Sequence, residues 1–261
     1  MRRLADHQAG GGSRPVVLLH GLLGSARNLA TLARGLAARD PALGVVALDL
    51  TGHGASPPLP PAADTATLAG DVLATADALG LAAPLALVGH SLGGRVALRV
   101  AELASARVAS VTLLDVAPGP LSGAGEVSRV LEVVQDAPET FETRGQARAH
   151  LLAAGLAPGL ADWLVLNLAP AGDLYRWRVD RRALAALHGR TAAENLWTVI
   201  ERPRDWALAC ARGGASPYVS DADARRLEAA GGRVVTIDGA GHFLHAEHPV
   251  AVRDAVAAAL G

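Results

Sequence analysis

The sequence of 261 residues contains no lysine, and all 24 of its basic residues are arginines. Without a lysine amine, the chain cannot use a side-chain Schiff base or a serine–lysine pair for catalysis. Its single cysteine, Cys210, excludes an intramolecular disulfide. The net charge of −1 gives no overall argument for nucleic acid or an anionic membrane as a partner. We therefore expect neither disulfide bridges nor nucleic-acid binding.

Several targeting and cofactor signals are also missing. Residues 1–7 lack the apolar core of a signal peptide, and no apolar run is long enough to cross a bilayer. The sequence shows no zinc-ligand spacing and no glycine-rich nucleotide motif. We expect a cytoplasmic protein without a membrane span, cofactor or metal, and leave its oligomeric state open.

Aromatic residues are scarce, and all eight lie at or after Phe141. The first 140 residues must therefore build their core from small aliphatic side chains. Most of the aromatics lie close together in one later stretch, which indicates a part of the chain that is built differently. The aromatics of that stretch are Trp163, Tyr175, Trp177, Trp197 and Trp206.

Short apolar runs alternate with amphipathic stretches in the first half, a pattern typical of βαβ units and a parallel sheet. Strands are predicted at 15–20, 44–50, 84–88, 108–114, 206–211 and 233–237. Between 118 and 203 the pattern is mainly helical, with helices predicted at 126–135, 144–154, 160–168, 181–187 and 192–200. We predict an α/β core from 1–117 and 204–261, with residues 118–203 inserted as a helical cap.

The segment Gly89–Gly94 reads Gly-His-Ser-Leu-Gly-Gly and stands between a predicted strand and a predicted helix. A Gly-x-Ser-x-Gly in this setting is typical of a nucleophile elbow, a sharp turn that exposes the serine hydroxyl at the end of the sheet. Ser91 is the predicted nucleophile. A glycine-rich turn with an incidental serine is the alternative.

A serine nucleophile needs a base, and the base needs an orienting acid. His242 lies in a glycine-bounded loop after the last predicted strand and is the predicted base. The position after the penultimate strand that often holds the acid is occupied by Ser216. Asp115, at the end of the strand after the elbow helix, is the predicted acid, and Asp221 is the reserve.

The oxyanion of a tetrahedral intermediate needs two N–H donors. The backbone of Leu92, directly after the nucleophile, is predicted to supply one of them. Leu22, in the glycine-bounded loop after the first clear strand, is predicted to supply the other.

Four motifs in this order resemble the α/β-hydrolase superfamily: His20-Gly21, Asp49-x-x-Gly52-His53-Gly54-x-Ser56, Gly89–Gly94 and Gly239-x-Gly241-His242. Within it, the chain resembles small bacterial acyl esterases and α/β-hydrolase domain-containing protein eleven. The matches there include Leu114–Pro118 and Gly213-Gly214-x-Ser216-Pro217-Tyr218-Val219. The resemblance implies an α/β-hydrolase fold with a mostly parallel central sheet, and it supports Asp115 as the acid.

The resemblance also implies hydrolysis of short- to medium-chain carboxylic esters or thioesters, without a cofactor. Leu23, Phe243, Trp163 and Trp177 are expected to line an apolar acyl pocket for a small-molecule ester, although cap aromatics could equally be packing core. Two alternatives stay open. The same triad could serve C–C bond hydrolysis or perhydrolysis, or the scaffold could be a non-catalytic ligand receptor.

Overall fold

A seven-stranded sheet forms the centre of the molecule, in a computed structural model that describes residues 1–121 and 126–261. Its order is β1-β3-β2-β4-β5-β9-β10; β1 pairs antiparallel with β3 and the other pairs are parallel. This is the predicted α/β-hydrolase arrangement, a mostly parallel sheet. The strands of the described residues are β1 (Asp6–Ala9), β2 (Arg14–Leu19), β3 (Leu43–Leu48), β4 (Leu85–His90), β5 (Val108–Leu114), β6 (Thr140–Phe141), β7 (Leu168–Ala171), β8 (Leu174–Trp177), β9 (Ala207–Gly213) and β10 (Arg233–Ile237).

The central strands are buried on both faces, which explains their continuous apolar sequences. Along β2, Val16 and Leu18 point into one hydrophobic cluster, whereas Val17 and Leu19 point into the other. Successive side chains of a strand point to opposite faces, so one apolar run fills both cores.

Helices cover both faces of the sheet. Helices α1 and α11 pack together on one face, and α2 and α3 pack together on the other. The helices of the described residues are α1 (Ala30–Arg39), α2 (Thr65–Ala78), α3 (Leu92–Leu103), α4 (Glu126–Asp136), α5 (Arg144–Ala153), α6 (Pro158–Leu164), α7 (Arg181–Ala192), α8 (Trp197–Glu201), α9 (Asp221–Ala229), α10 (Leu244–Glu247) and α11 (Pro249–Leu260), with 3-10 turns at Ala26–Leu29, Ser105–Arg107 and Val165–Asn167. Among these residues, none of the helices has the length and hydrophobicity to cross a membrane.

The segment between β5 and β9 is organised separately, and residues 118–203 are called the insert below. It contains helices α4 to α8, as the sequence pattern predicts, and also a small antiparallel sheet in the order β6-β8-β7 that the pattern does not predict. Residues 122–125 of the insert lie outside the described residues. Arg95 connects the two ends of the insert to the core, because its guanidinium donates to the carbonyls of Gly119 and Glu194.

Candidate active site

Ser91 lies at the junction of β4 and α3, in a backbone conformation with φ 52° and ψ −117°. Positive φ is rare for a residue with a side chain and is held only where the surroundings enforce it. The close packing of the elbow against the end of β2 is one such constraint, because a Cβ on Gly93 would overlap the carbonyl of Leu19. The sharp turn expected of a nucleophile elbow is therefore present at Ser91.

Asp115 follows β5 and also has a positive φ, 51°. Its carboxylate is fully buried and accepts the backbone N–H of Gly213 on Oδ1 at 2.9 Å. The other oxygen, Oδ2, lies 2.8 Å from Nδ1 of His242 and also accepts the hydroxyl of Ser216. The reserve acid, Asp221, is instead paired with Arg212 at the exposed N-terminus of α9.

The partner of His242 determines which of its ring nitrogens carries the proton. An ionised carboxylate only accepts hydrogen bonds, so Nδ1–H donates to Asp115 and Nε2 is left with a free lone pair. Ser91 and His242 line the same cavity, and Ser91 Oγ makes no hydrogen bond with another described residue. The hydroxyl of Ser91 and the basic ring of His242 therefore border the same cavity.

The loop after β2 lies directly against Ser91. A Cβ on Gly21 would stand 2.8 Å from Nδ1 of His90 and 3.3 Å from Cβ of Ser91, so a side chain there would crowd both residues. Leu23 has a φ of 59°; its N–H donates to Nε2 of His53, and its carbonyl accepts the side-chain amide of Asn167 at 2.6 Å. Neither Leu22 nor Leu92 uses its backbone N–H in a hydrogen bond within the described ranges.

Two buried histidines connect this loop to the loop after β3. Burial lowers the pKa of His20 to about 4 and that of His53 to about 3, so both rings are neutral at neutral pH. His20 Nε2 accepts the N–H of Leu50 at 2.9 Å, which leaves Nδ1–H to donate to the carbonyl of Gly21 at 2.7 Å. His20 therefore orients the loop after β2 relative to the loop after β3.

Further histidines surround His242. His90 donates from Nε2 to the carbonyl of His242 at 2.9 Å, and its ring centre lies 4.5 Å from that of His245. Burial is the main cause of the lowered pKa of both His90 and His245, with the neighbouring imidazoles contributing. These rings pack around the loop of His242 in their neutral form.

Tyr218 is a site residue that the sequence patterns do not single out. Its ring stacks on His242 with 4.0 Å between ring centres, and its hydroxyl accepts the backbone N–H of Val127 at 3.3 Å. It follows Ser216 by two residues, so one short loop supplies a contact to the carboxylate and a contact to the imidazole. Only its place in a motif with Ser216 could have indicated it.

An apolar cavity, here called the first cavity, opens at Ser91. Leu22, Leu23, Trp163 and Phe243 line it together with His242. Trp177 lines neither this cavity nor the second one described below. It is buried within the insert, against Phe141, and its indole N–H donates to the carbonyl of Pro138 at 3.0 Å.

A serine elbow at the carboxyl edge of a mostly parallel sheet, with a histidine loop after the last strand, defines the class of α/β hydrolases. The chain belongs to the alpha/beta hydrolase family, whose sequence profile matches residues 16–255.

Known proteins agree with this assignment. The chain is 30% identical to esterase YbfF of Escherichia coli (strain K12), over 93% of this chain and 91% of that protein. It is 28% identical to the sn-1-specific diacylglycerol lipase ABHD11 of Mus musculus, over 92% of this chain and 79% of that protein. A marine microorganism esterase superposes with a TM-score of 0.86 at 22% identity, covering 97% of this chain and 98% of its own, which is a likeness of fold. Family and relatives identify the protein as a hydrolase of the esterase and lipase group.

Proposed function

We propose that the protein is a serine esterase that hydrolyses short- to medium-chain carboxylic esters through an acyl-enzyme on Ser91. The single observation that carries the proposal is the pairing of His242 Nδ1 with buried Asp115 at 2.8 Å, beside the cavity that contains Ser91. Oxygen esters and thioesters would pass through the same acyl-enzyme.

In this mechanism Nε2 of His242 takes the proton of Ser91 as the hydroxyl attacks the ester carbonyl. Asp115 keeps Nδ1 protonated and stabilises the imidazolium that forms. The imidazolium then gives its proton to the leaving alcohol, so the alcohol departs on the side of His242. A water activated by His242 releases the acid and restores Ser91.

The negative charge on the carbonyl oxygen develops beside two backbone donors, the N–H groups of Leu22 and Leu92. Both are free of other partners within the described residues, as an oxyanion hole requires. Leu23 supports this role, because its φ of 59° is held from both sides by His53 and Asn167. Such a fixed backbone needs no reorganisation when charge develops.

Residues 118–203 act in this proposal as the cap that covers the site. Val127, Val130 and Leu160, together with Trp163, contribute insert side chains to the lining of the first cavity. That cavity has a volume of about 20 Å³, which is close to the space of one water molecule. Substrate entry therefore requires side chains of the cap to move away from Ser91.

The proposal is tested with p-nitrophenyl acetate and butyrate and with a fluorophosphonate label that is mapped by mass spectrometry. We expect Ser91→Ala to abolish both turnover and labelling. Ser13→Ala is the matched control, because Ser13 is exposed and does not line the first cavity. Equal turnover by wild type and Ser91→Ala would overturn the proposal, and so would ligand binding without turnover across an ester panel.

A further inference from the structure

A second cavity also borders Ser91. It shares Leu22, Ser91 and Val127 with the first cavity, and it also has a volume of about 20 Å³. Its lining differs in chemistry, because it includes Arg95, His188 and Thr191, whereas leucine, tryptophan and phenylalanine dominate the first cavity. Ser91 therefore borders both an apolar space and a space that carries a cation.

Arg95 is a buried cation whose partners within the described residues are all neutral. It is 2% exposed, and its terminal nitrogens donate to the carbonyls of Ala117, Gly119 and Glu194. Burial lowers the pKa of the guanidinium to about 10, so it stays charged at neutral pH. The nearby carboxylate of Glu194 is held by Arg99 and Thr65 instead.

The side-chain hydrogen bonds of Arg95 come from its terminal nitrogens, and its buried Nε–H has no acceptor among the residues that the structure describes. Buried polar groups without a partner are rare in folded proteins, and an unpaired donor on a cation is costly. Since Arg95 lines the second cavity, an acceptor that a ligand brings there meets a buried cation with unused hydrogen-bonding capacity.

The other polar groups of the second cavity add hydrogen-bonding capacity without charge. His188 is partly buried on α7; burial and the charge of Arg95 lower its pKa, so the ring is neutral at neutral pH. Thr191, on the same helix, adds a hydroxyl. The positive charge of Arg95 is therefore not cancelled within the lining.

The position of His242 determines which part of an ester enters each cavity. The imidazolium protonates the leaving alcohol, so the alcohol lies on the side of His242. His242 lines the first cavity and not the second. The acyl group then enters the second cavity, and the apolar space with Trp163 and Phe243 receives the alcohol rather than the acyl chain expected from the sequence.

We infer that the second cavity is an acyl subsite that selects acyl groups carrying a second oxygen acceptor, which Arg95 binds; the inference rests on the proposed function. The N–H of Arg95 bonds to the carbonyl of Ser91 within one turn of α3. Arg95 thus follows Ser91 by one turn, a rise of about 6 Å along the helix axis, and we test acceptors placed four bonds beyond the ester carbonyl. A carboxylate and a neutral ether or keto oxygen share this chemistry.

The test compares isomeric esters that differ only in where the second oxygen lies. Methyl γ-methoxybutanoate carries it on the acyl side and has methyl hexanoate as its hydrocarbon match. The isomer γ-methoxypropyl acetate carries it on the alcohol side and has pentyl acetate as its match. We expect kcat/KM about tenfold higher for the acyl-side ether than for methyl hexanoate, and no gain on the alcohol side.

Monomethyl succinate identifies the acceptor, because its carboxylate oxygens lie four bonds beyond the ester carbonyl, as the ether oxygen of methyl γ-methoxybutanoate does. A further gain over the ether means that Arg95 selects a carboxylate, and equal rates mean that a neutral oxygen suffices. Equal rates for methyl γ-methoxybutanoate and methyl hexanoate would overturn the inference, and so would a gain confined to the alcohol-side ether. If no ester in the set shows hydrolysis that depends on Ser91, the proposed function itself has failed.

Arg95→Met removes the donor, and we expect the preference for the acyl-side ether to fall to that of a hydrocarbon chain. Arg99→Met is the matched control, because Arg99 lies one turn further along α3, pairs with Glu102 and Glu194, and does not line the second cavity. Fluorophosphonate labelling of Ser91 reports whether each variant is folded. If Arg95→Met does not fold, the ratios measured on the wild type still decide the question.

Discussion

Ser216 donates its hydroxyl to Oδ2 of Asp115, the same oxygen that accepts Nδ1–H of His242. The chain thus has a serine where the orienting acid is often found, and that serine contacts a carboxylate supplied from the preceding strand of the sheet. The backbone N–H of Gly213 donates to Oδ1, so each oxygen of the carboxylate accepts a hydrogen bond from a donor other than His242.

Asp115→Asn is expected to lower kcat by about 10³- to 10⁴-fold on p-nitrophenyl butyrate, because an amide no longer enforces the tautomer of His242. Asp221→Asn is the matched control, since Asp221 is exposed and paired with Arg212 away from His242. Steady-state kinetics of both variants measure the effect. An active Asp115→Asn beside an inactive Asp221→Asn would assign the acid to Asp221.

Ser216→Ala is expected to lower kcat about tenfold and to leave KM unchanged. The variant removes a hydrogen bond to a charged group, but Ser216 does not line either cavity. Ser220→Ala is the matched control, because Ser220 caps α9 and its loss costs about 1 kcal/mol of stability without touching Asp115. A Ser216→Ala enzyme with wild-type kcat would show that Asp115 does not need this donor.

Asn167→Ala is expected to lower kcat about tenfold, because the amide of Asn167 fixes the carbonyl of Leu23 next to Leu22, the proposed oxyanion donor. Asn195→Ala removes an exposed asparagine of the insert whose side chain, among the described residues, accepts only the N–H of Trp197. Turnover normalised to fluorophosphonate-labelled enzyme separates this effect from a loss of folded protein. Equal turnover numbers for the two variants would exclude a link between the insert and the oxyanion loop.

The first cavity can be enlarged without disturbing the histidine. Trp163→Leu is expected to raise kcat/KM for hexyl acetate relative to ethyl acetate, because Trp163 lines the first cavity, in which we propose that the alcohol binds. Trp177→Leu is the matched control; buried within the insert, it is expected to cost about 2 kcal/mol of stability and to leave chain-length preference unchanged. If only Trp177→Leu changed the chain-length preference, the alcohol would not bind in the first cavity.

The parts that could be predicted from the sequence are those with a local signal. A few adjacent residues indicate the elbow at Ser91 and the glycine-bounded loop of His242. Continuous apolar runs indicate the central strands. The prediction of Asp115 as the acid rests on its position at a strand end and stays a prediction. The fold class and the family were predicted on these features, and both are confirmed.

The parts that could not be predicted depend on contacts between distant residues. Asn167 meets Leu23 across 144 positions of sequence, and no local pattern encodes that contact. The strands β6 to β8 have two to four residues each and exist through their mutual pairing. Edge strand β1 has the polar sequence Asp-His-Gln-Ala, which carries no strand pattern.

The free energy of unfolding is expected to fall as the pH drops from about 6.5 towards about 4, because four buried histidines are neutral in the folded protein. Burial lowers the pKa of His20 and His245 to about 4 and of His53 to about 3, and lowers that of His90 well below its usual value. The unfolded chain takes up these protons first, so protons bind the unfolded state in this window and stability is full only above it. Each histidine contributes at most about 1.4 kcal/mol per pH unit. Urea unfolding at neutral pH and at steps down to about pH 5 measures the slope.

His245→Leu is expected to reduce the slope by the contribution of one histidine. The substitution breaks no hydrogen bond of Nδ1, because that nitrogen of His245 has no partner among the described residues. His7→Gln, at an exposed position, is the control that leaves the slope unchanged. A stability that does not vary over this window would contradict the neutral state of the four rings.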